Sequence, residues 1–251
     1  MESIVSVNND LVKNTVKLQQ KKYRDLEKKF LLEGYKVVEE AVKSGLEIEY
    51  LFINSDKIQK YDLYNGRKIL TNEAVLKKIS DTNTPPEVVG VAVQREYSKN
   101  DFKNLKRVVL IENIKDVGNL GTIIRTSVAF GADGIILFGD CTDMYSPKCV
   151  RATVGNLWKI PILNVSDFRD IELLFSDFQR VATLPLAKSL LHEFKPQKKC
   201  LIMFGSEANG LSDKLINFST ESVKIEMKDN VESLNLAIST AVVLYELMRQ
   251  D

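Results

Sequence analysis

Three polar loops in the second half of the chain hold the residue types that could do chemistry, and each follows an apolar run. The first reads Asp116-Val117-Gly118-Asn119-Leu120-Gly121-Thr122-Ile123-Ile124-Arg125-Thr126, with an amide at a strand-to-helix turn and a guanidinium six residues later. The second, Gly205-Ser206-Glu207-Ala208-Asn209-Gly210, leaves the apolar run 201–204. Glycines there let backbone N–H and C=O groups approach a ligand at the carboxyl end of a strand, where parallel sheets place their sites. The third, 225–237, puts Asn230, Ser233 and Asn235 ahead of a helical pattern. Each loop alone reads as ordinary structure: a helix cap at Asn119, Asn230 or Ser233, or a tight turn around one exposed Glu207. Simple caps do not account for three such loops in a row, carrying Asn119, Arg125, Glu207, Ser233 and Asn235 among them. Neither GxGxxG nor GxxxxGK[ST] is present, so an ordinary dinucleotide or P-loop site is not expected.

These loops need a sheet to hold them. From Arg107 the chain alternates apolar strands (108–111, 135–138, 160–163, 180–183, 200–204, 223–227) with helical patterns (120–130, 146–157, 167–178, 233–249). Short connections between alternating strands and helices predict a parallel α/β sheet covered on both faces. The first hundred residues carry shorter elements: helices over 33–43 and 72–80, and strands over 48–54 and 88–94. The polar stretch 97–106 has no apolar period. The expected division is therefore a small α/β domain over 1–97, a linker over 98–106 and a larger α/β domain over 107–251.

Composition narrows the classes. With 251 residues, 44% hydrophobic and 27% charged, the chain is expected to be an ordinary globular protein rather than a disordered or disulfide-stapled one. Lys+Arg number 35 and Asp+Glu 34, so net charge names no partner. The three cysteines form no CxxC, and His192 is the only histidine, which argues against a common zinc site and a histidine-based triad. No metal is expected. No apolar run reaches the ~18–20 residues of a membrane span, and the N-terminus has neither the basic start nor the apolar core of a signal peptide, so the expected location is the cytoplasm. Locally, Lys13, Lys17, Lys21, Lys22, Arg24, Lys28 and Lys29 face only Asp25 and Glu27. This run reads either as a solvated helix face or as a phosphate-contacting patch with salt-dependent affinity. Phe30, Phe52, Tyr23 and Tyr35 offer rings that could stack on unpaired bases, with core packing the more ordinary role for the phenylalanines. Trp158 and His192 are expected to be structural or surface residues.

The segments NLGTIIRTSVAFGADGI, LIMFGSEANGLS and IEMKDNVESLNLAIST, in that order and spacing, resemble the three motifs of the SpoU/TrmH methyltransferases of the SPOUT superfamily, and SPKCVRATVGNLWKIPI resembles their connecting segment. The resemblance covers about 107–251. FLLEGYKVVEEAVKSGLEIEYLFIN resembles the ribosomal-protein-like substrate-binding domain often found in front. The resemblance implies a parallel α/β domain with a C-terminal trefoil knot and an active site at a homodimer interface. It also implies methyl transfer from S-adenosylmethionine to a ribose 2′-hydroxyl of RNA, ribosomal RNA ahead of transfer RNA. The rival is a non-catalytic RNA-binding or ribosome-assembly protein on the same fold. By the same resemblance Gly205, Ile225, Leu234, Thr183 and Met227 contact the cofactor, while Arg125, Asn119, Glu207, Ser233 and Asn235 are catalytic or position the RNA. Lys21, Lys22, Lys28 and Lys29 are the expected RNA contacts of the first domain. The third motif departs from the family pattern at Glu226 and Asp229, and the first at Val117. For Arg125 two roles stand open: base, as the family account has it, or a cation that stabilises the forming alkoxide, which suits a group that keeps its proton.

Overall fold

The computed structural model describes residues 2–250 apart from Leu63, Asp229 and Glu232. In chain order the elements begin with β1 (Glu2–Ser3), α1 (Asp10–Lys17), α2 (Lys21–Glu27), β2 (Lys29–Glu33), α3 (Tyr35–Lys43), β3 (Ile48–Asn54), β4 (Arg67–Thr71), α4 (Glu73–Ile79) and β5 (Val88–Val93). There follow β6 (Arg107–Glu112), α5 (Val117–Ala129), β7 (Gly134–Phe138), α6 (Pro147–Thr153), β8 (Ile162–Val165), α7 (Phe168–Leu174) and β9 (Gln179–Thr183). The chain closes with β10 (Ser189–Leu190), β11 (Cys200–Phe204), α8 (Asp213–Phe218), β12 (Glu221–Lys224) and α9 (Leu236–Met248). No helix among the described residues is long and apolar enough to cross a membrane. Packing divides the chain into two units: Met1–Glu96 with Asp143–Lys159, and Tyr97–Thr142 with Ile160–Asp251.

The first unit is built on a mixed sheet in the order β1-β4-β3-β5-β2, with β5 antiparallel to both β2 and β3. Val12, Leu31, Phe52, Ile69, Val75 and Val91 form its core, each fully buried. Segment 143–159 belongs here, although the grammar of strands and helices around it is that of the second half. Phe30 explains part of this: its ring centroid lies 4.8 Å from that of Tyr145 and 6.3 Å from that of Trp158. Ion pairs explain the rest. Buried Arg24 donates to Asp143 (Nε, 3.0 Å) and to the Leu18 and Gln19 carbonyls. Glu33 accepts from Arg151 and from the Asp81 backbone N–H, and Lys159 pairs with Glu40 at 2.6 Å. The helix expected over 146–157 stops at Thr153, because Val154 turns left-handed (φ 49). Gly155 follows at φ 80, where a Cβ would lie 2.4 Å from the Glu40 side chain.

The second unit carries a seven-stranded sheet, parallel at every pairing, in the order β10-β12-β9-β11-β6-β7-β8. Strands β7 and β11 are buried along their whole length, as continuous apolar runs covered on both faces require. Residues 98–106, expected as a linker, fold into this unit. Ser98 and Asp101 form a capping box around a short 3₁₀ turn, and Phe102 is buried in the core. The last strand ends at Lys224 rather than 227, since the chain then leaves the sheet to wall a cavity. Helix α9 begins at Leu236, capped by Asn235, whose side chain accepts from the Ala237 and Ile238 N–H groups at 2.9 and 3.3 Å. Ser233 and Asn230 do not cap it.

Candidate active site

Strands β12, β9 and β11 lie side by side, so their carboxyl ends deliver three loops to one place. Thr183 at the end of β9 stitches two of them, its hydroxyl donating to the Met203 carbonyl at 2.9 Å. Between the loops lies a cavity of about 380 Å³. Its walls include every expected cofactor contact (Thr183, Gly205, Ile225, Met227 and Leu234), and Glu207, Ser233 and Asn235 as well. Leu184, Phe204, Val223, Leu236 and Val243 add apolar surface, and among the described residues Lys224 is the only basic one of the lining. Sequence reasoning gave no role to Leu184 and Pro185, which follow Thr183, to Lys224, which precedes the third motif, or to Ser206 and Ser239, which lie inside the second and third motifs.

The loop after β11 is self-packed. A Cβ on Gly205 would lie 1.9 Å from the Gly210 carbonyl carbon and 2.0 Å from the Leu211 nitrogen. Glycine is therefore required by the loop's own return, not only by approach to a ligand. Gly210 turns back with φ 65, and its N–H donates to the Ser206 carbonyl at 2.9 Å. The exit is fixed from below by Glu112, buried at the end of β6, which accepts from the Ser212 N–H at 2.8 Å.

Motif one meets this loop through Asn119. The α5 cap is Asp116, which accepts from the Asn119 N–H at 2.7 Å, so the Asn119 side chain is not needed as a cap. Its Nδ2 donates to Glu207, and its Oδ1 accepts from Asn235 Nδ2 at 3.1 Å. One residue from each of the three motifs thus joins a single hydrogen-bonded chain, running from α5 through the loop after β11 and ending on the N-cap of α9.

Arg125 does not join it. Six residues beyond Asn119 is roughly 120° round the helix at 3.6 residues per turn, and Arg125 is exposed, outside the cavity lining, with no side-chain partner among the described residues. Exposed Glu226 also lies outside the lining, Asp229 falls outside the described residues, and Val117 is simply the first residue of α5. His192 sits exposed in a 3₁₀ turn beside Glu193. In the first unit, three of the four expected RNA contacts are paired: Lys21 with Asp25 (2.6 Å), Lys28 with Glu96 (2.8 Å) and Lys29 with Glu49 (2.8 Å). Their carboxylate partners hold the Lys28 and Lys29 ammonium groups above the ordinary lysine range, chiefly by hydrogen bonding.

Residues 106–245 match the family model of the SpoU rRNA methylases. The chain belongs to that family. Residues 9–90 match the MRM3-like substrate binding domain. Among relatives of this SpoU chain is an uncharacterized tRNA/rRNA methyltransferase of Synechocystis sp., 33% identical, with 99% of this chain and 94% of that one covered. The 23S rRNA (guanosine(2553)-2′-O)-methyltransferase RlmP of Bacillus subtilis is 28% identical, with 98% and 99% covered. Among solved structures, an AdoMet-bound rRNA methyltransferase from Sinorhizobium meliloti superposes with a TM-score of 0.89 at 32% identity, covering 99% of this chain and 97% of that one.

Proposed function

We propose that the protein transfers a methyl group from S-adenosylmethionine to a ribose 2′-hydroxyl of ribosomal RNA. The observation that carries this reading is the Asn119–Glu207–Asn235 chain at the edge of a cavity walled by Thr183, Gly205, Ile225, Met227 and Leu234. The cavity suits the cofactor: about 380 Å³ falls within the usual range for small-molecule sites, with mainly apolar walls and a few placed polar groups. When bound there, S-adenosylmethionine supplies an activated methyl group on a sulfonium. Aligning the hydroxyl with it is the enzyme's first task. Asn119 and Asn235 hold Glu207 and the start of α9 in fixed register for that purpose, with Ser233 at the same edge.

Among the described residues no histidine or cysteine lines the cavity, and in this reading neither takes the 2′-hydroxyl proton. Arg125 is exposed and has no carboxylate partner among the described residues, and a guanidinium is by nature a cation rather than a base. Its role is that of a cation stabilising the alkoxide as it forms, while the proton leaves to water. Because Arg125 stands outside the cavity of its own chain, a second copy completes the site. The outer face of α9 supports this homodimer: Ile238, Val242, Tyr245 and Met248 are exposed apolar residues on one flank of a helix that packs on α5. The reading retains the trefoil knot, a first domain over 1–97 that binds the RNA together with the segment 143–159 packed on it, catalysis by motifs within 107–251, and a cytoplasmic setting.

Labelled S-adenosylmethionine and ribosomal RNA from cells lacking this protein test the reading: the label should appear as 2′-O-methyl at a discrete nucleotide. Absence of cofactor binding by calorimetry would overturn it and favour a non-catalytic RNA-binding protein. Arg125→Ala should lower the single-turnover rate about a hundred- to thousandfold with cofactor affinity unchanged, as loss of one preorganised donor does. Arg125→Lys should lose a similar amount with the pH profile unchanged in shape. A partly active lysine variant with a shifted profile would instead make Arg125 the base.

A further inference from the structure

The basic run of the first unit is largely neutralised by its own fold. Of its seven basic residues, five have carboxylate partners: Lys13 with Asp10, Lys21 with Asp25, Arg24 with Asp143, Lys28 with Glu96 and Lys29 with Glu49. The two left over are Lys17, whose Nζ donates only to Asn14, and Lys22, which has no hydrogen-bond or ion-pair partner among the described residues. Both converge on one ring. The ammonium groups of Lys17 and Lys22 each lie 5.8 Å from the centroid of Tyr23, which is half-buried at the start of α2. One turn beyond Lys22, Leu26 is 74% exposed. Cations without carboxylate partners beside an aromatic ring, with an uncovered aliphatic side chain one turn on, make a surface that fits an anionic chain with flat bases.

We infer that Lys17, Tyr23, Lys22 and Leu26 form a platform for an unpaired nucleotide of the RNA substrate, its base against Tyr23 and Leu26 and its flanking phosphates at the two lysines. This rests on the methyltransferase reading and adds to it Lys17 and Leu26 as contacts, the selection of Lys22 over Lys21, Lys28 and Lys29, and the joining of these residues with Tyr23 into one site. A paired helix keeps its bases stacked inside and offers only phosphates, which would engage the lysines but leave Tyr23 and Leu26 idle.

The test uses the full-length protein and short fluorescein-labelled RNAs of one sequence, single-stranded or fully paired. Fluorescence anisotropy is measured across a salt series, with S-adenosylmethionine titration and thermal melting as checks on folding. Tyr23→Ala should weaken single-stranded binding on the order of tenfold and duplex binding little, while Tyr23→Phe, which keeps the ring, should bind as the parent does. The double variant Lys17→Gln with Lys22→Gln should weaken binding and flatten the salt slope by roughly one to two. The same double change at Lys28 and Lys29 should do much less. Equal losses for both lysine pairs, unchanged binding in Tyr23→Ala, or equal loss of duplex and single strand in that variant would overturn the platform. Methyl transfer to ribosomal RNA by the unaltered protein is measured alongside. If it persists while the platform variants bind normally, the platform fails and the methyltransferase reading stands.

Discussion

In the first unit, five of the seven basic residues between positions 13 and 29 are held in ion pairs, one of them nearly dry. At the cavity of the second unit, polar side chains from three motifs bond to one another, and Arg125 has no side-chain partner among the described residues. The first arrangement consumes charge for architecture. The second keeps polar groups aligned and one cation available. A count of charges along the sequence therefore overstates the first region as a binding surface, whereas the order of a few polar residues in three loops locates the second.

The sharpest way to break this comparison is at Arg24, 3% exposed, with both its Asp143 pair and two backbone carbonyls. Arg24→Ala strands a carboxylate and two acceptors and should cost about 3–5 kcal/mol in urea unfolding. A loss near that of a surface pair would show that Arg24 is not architectural. Next in size, Gly205→Ala forces a carbon to within 1.9 Å of the Gly210 backbone. The loop must open, and calorimetry should show cofactor affinity reduced at least about tenfold, which is ~1.4 kcal/mol. Unchanged affinity would separate the loop from the cavity's function. The smallest effect is expected at Asn235→Ala, which removes the α9 cap and one partner of Asn119. Loss of the cap should lower stability by about 1 kcal/mol, and single-turnover methyl transfer should fall by more than cofactor affinity does.

Much of the second unit was legible because continuous apolar runs such as 108–111 and 200–204 can be little other than doubly covered strands, and the alternation with helices then fixes parallel order. The cavity residues were legible through motif resemblance, and Gly205 through its residue type. Cap assignments were not. Asn119 and Ser233 have the right chemistry for caps, but Asp116 and Asn235 reach the free N–H groups first, which depends on backbone angles that residue type does not reveal. The early stop of α6 was hidden as well, since a valine at φ 49 goes against the preference of β-branched residues. Nor could residue type show that segment 143–159 packs with the first unit: its partners Phe30, Arg24, Glu33 and Glu40 lie more than a hundred residues away in the chain. The position of Arg125 follows from helix geometry alone, once α5 is known to begin at Val117.

The isolation of Arg125 has a genetic consequence. Asn119, Glu207, Asn235 and Gly205 each hold another part of the protein in place, so their alleles will mix folding defects with lost chemistry. Arg125 touches no described side chain through a polar bond, and its replacement disturbs no partner within its own chain. If Arg125 acts as proposed, it is the natural position for a separation-of-function allele: a protein made at normal abundance that still captures its RNA and leaves it unmodified. Crosslinking such a variant in living cells would recover the nucleotide on which the parent acts.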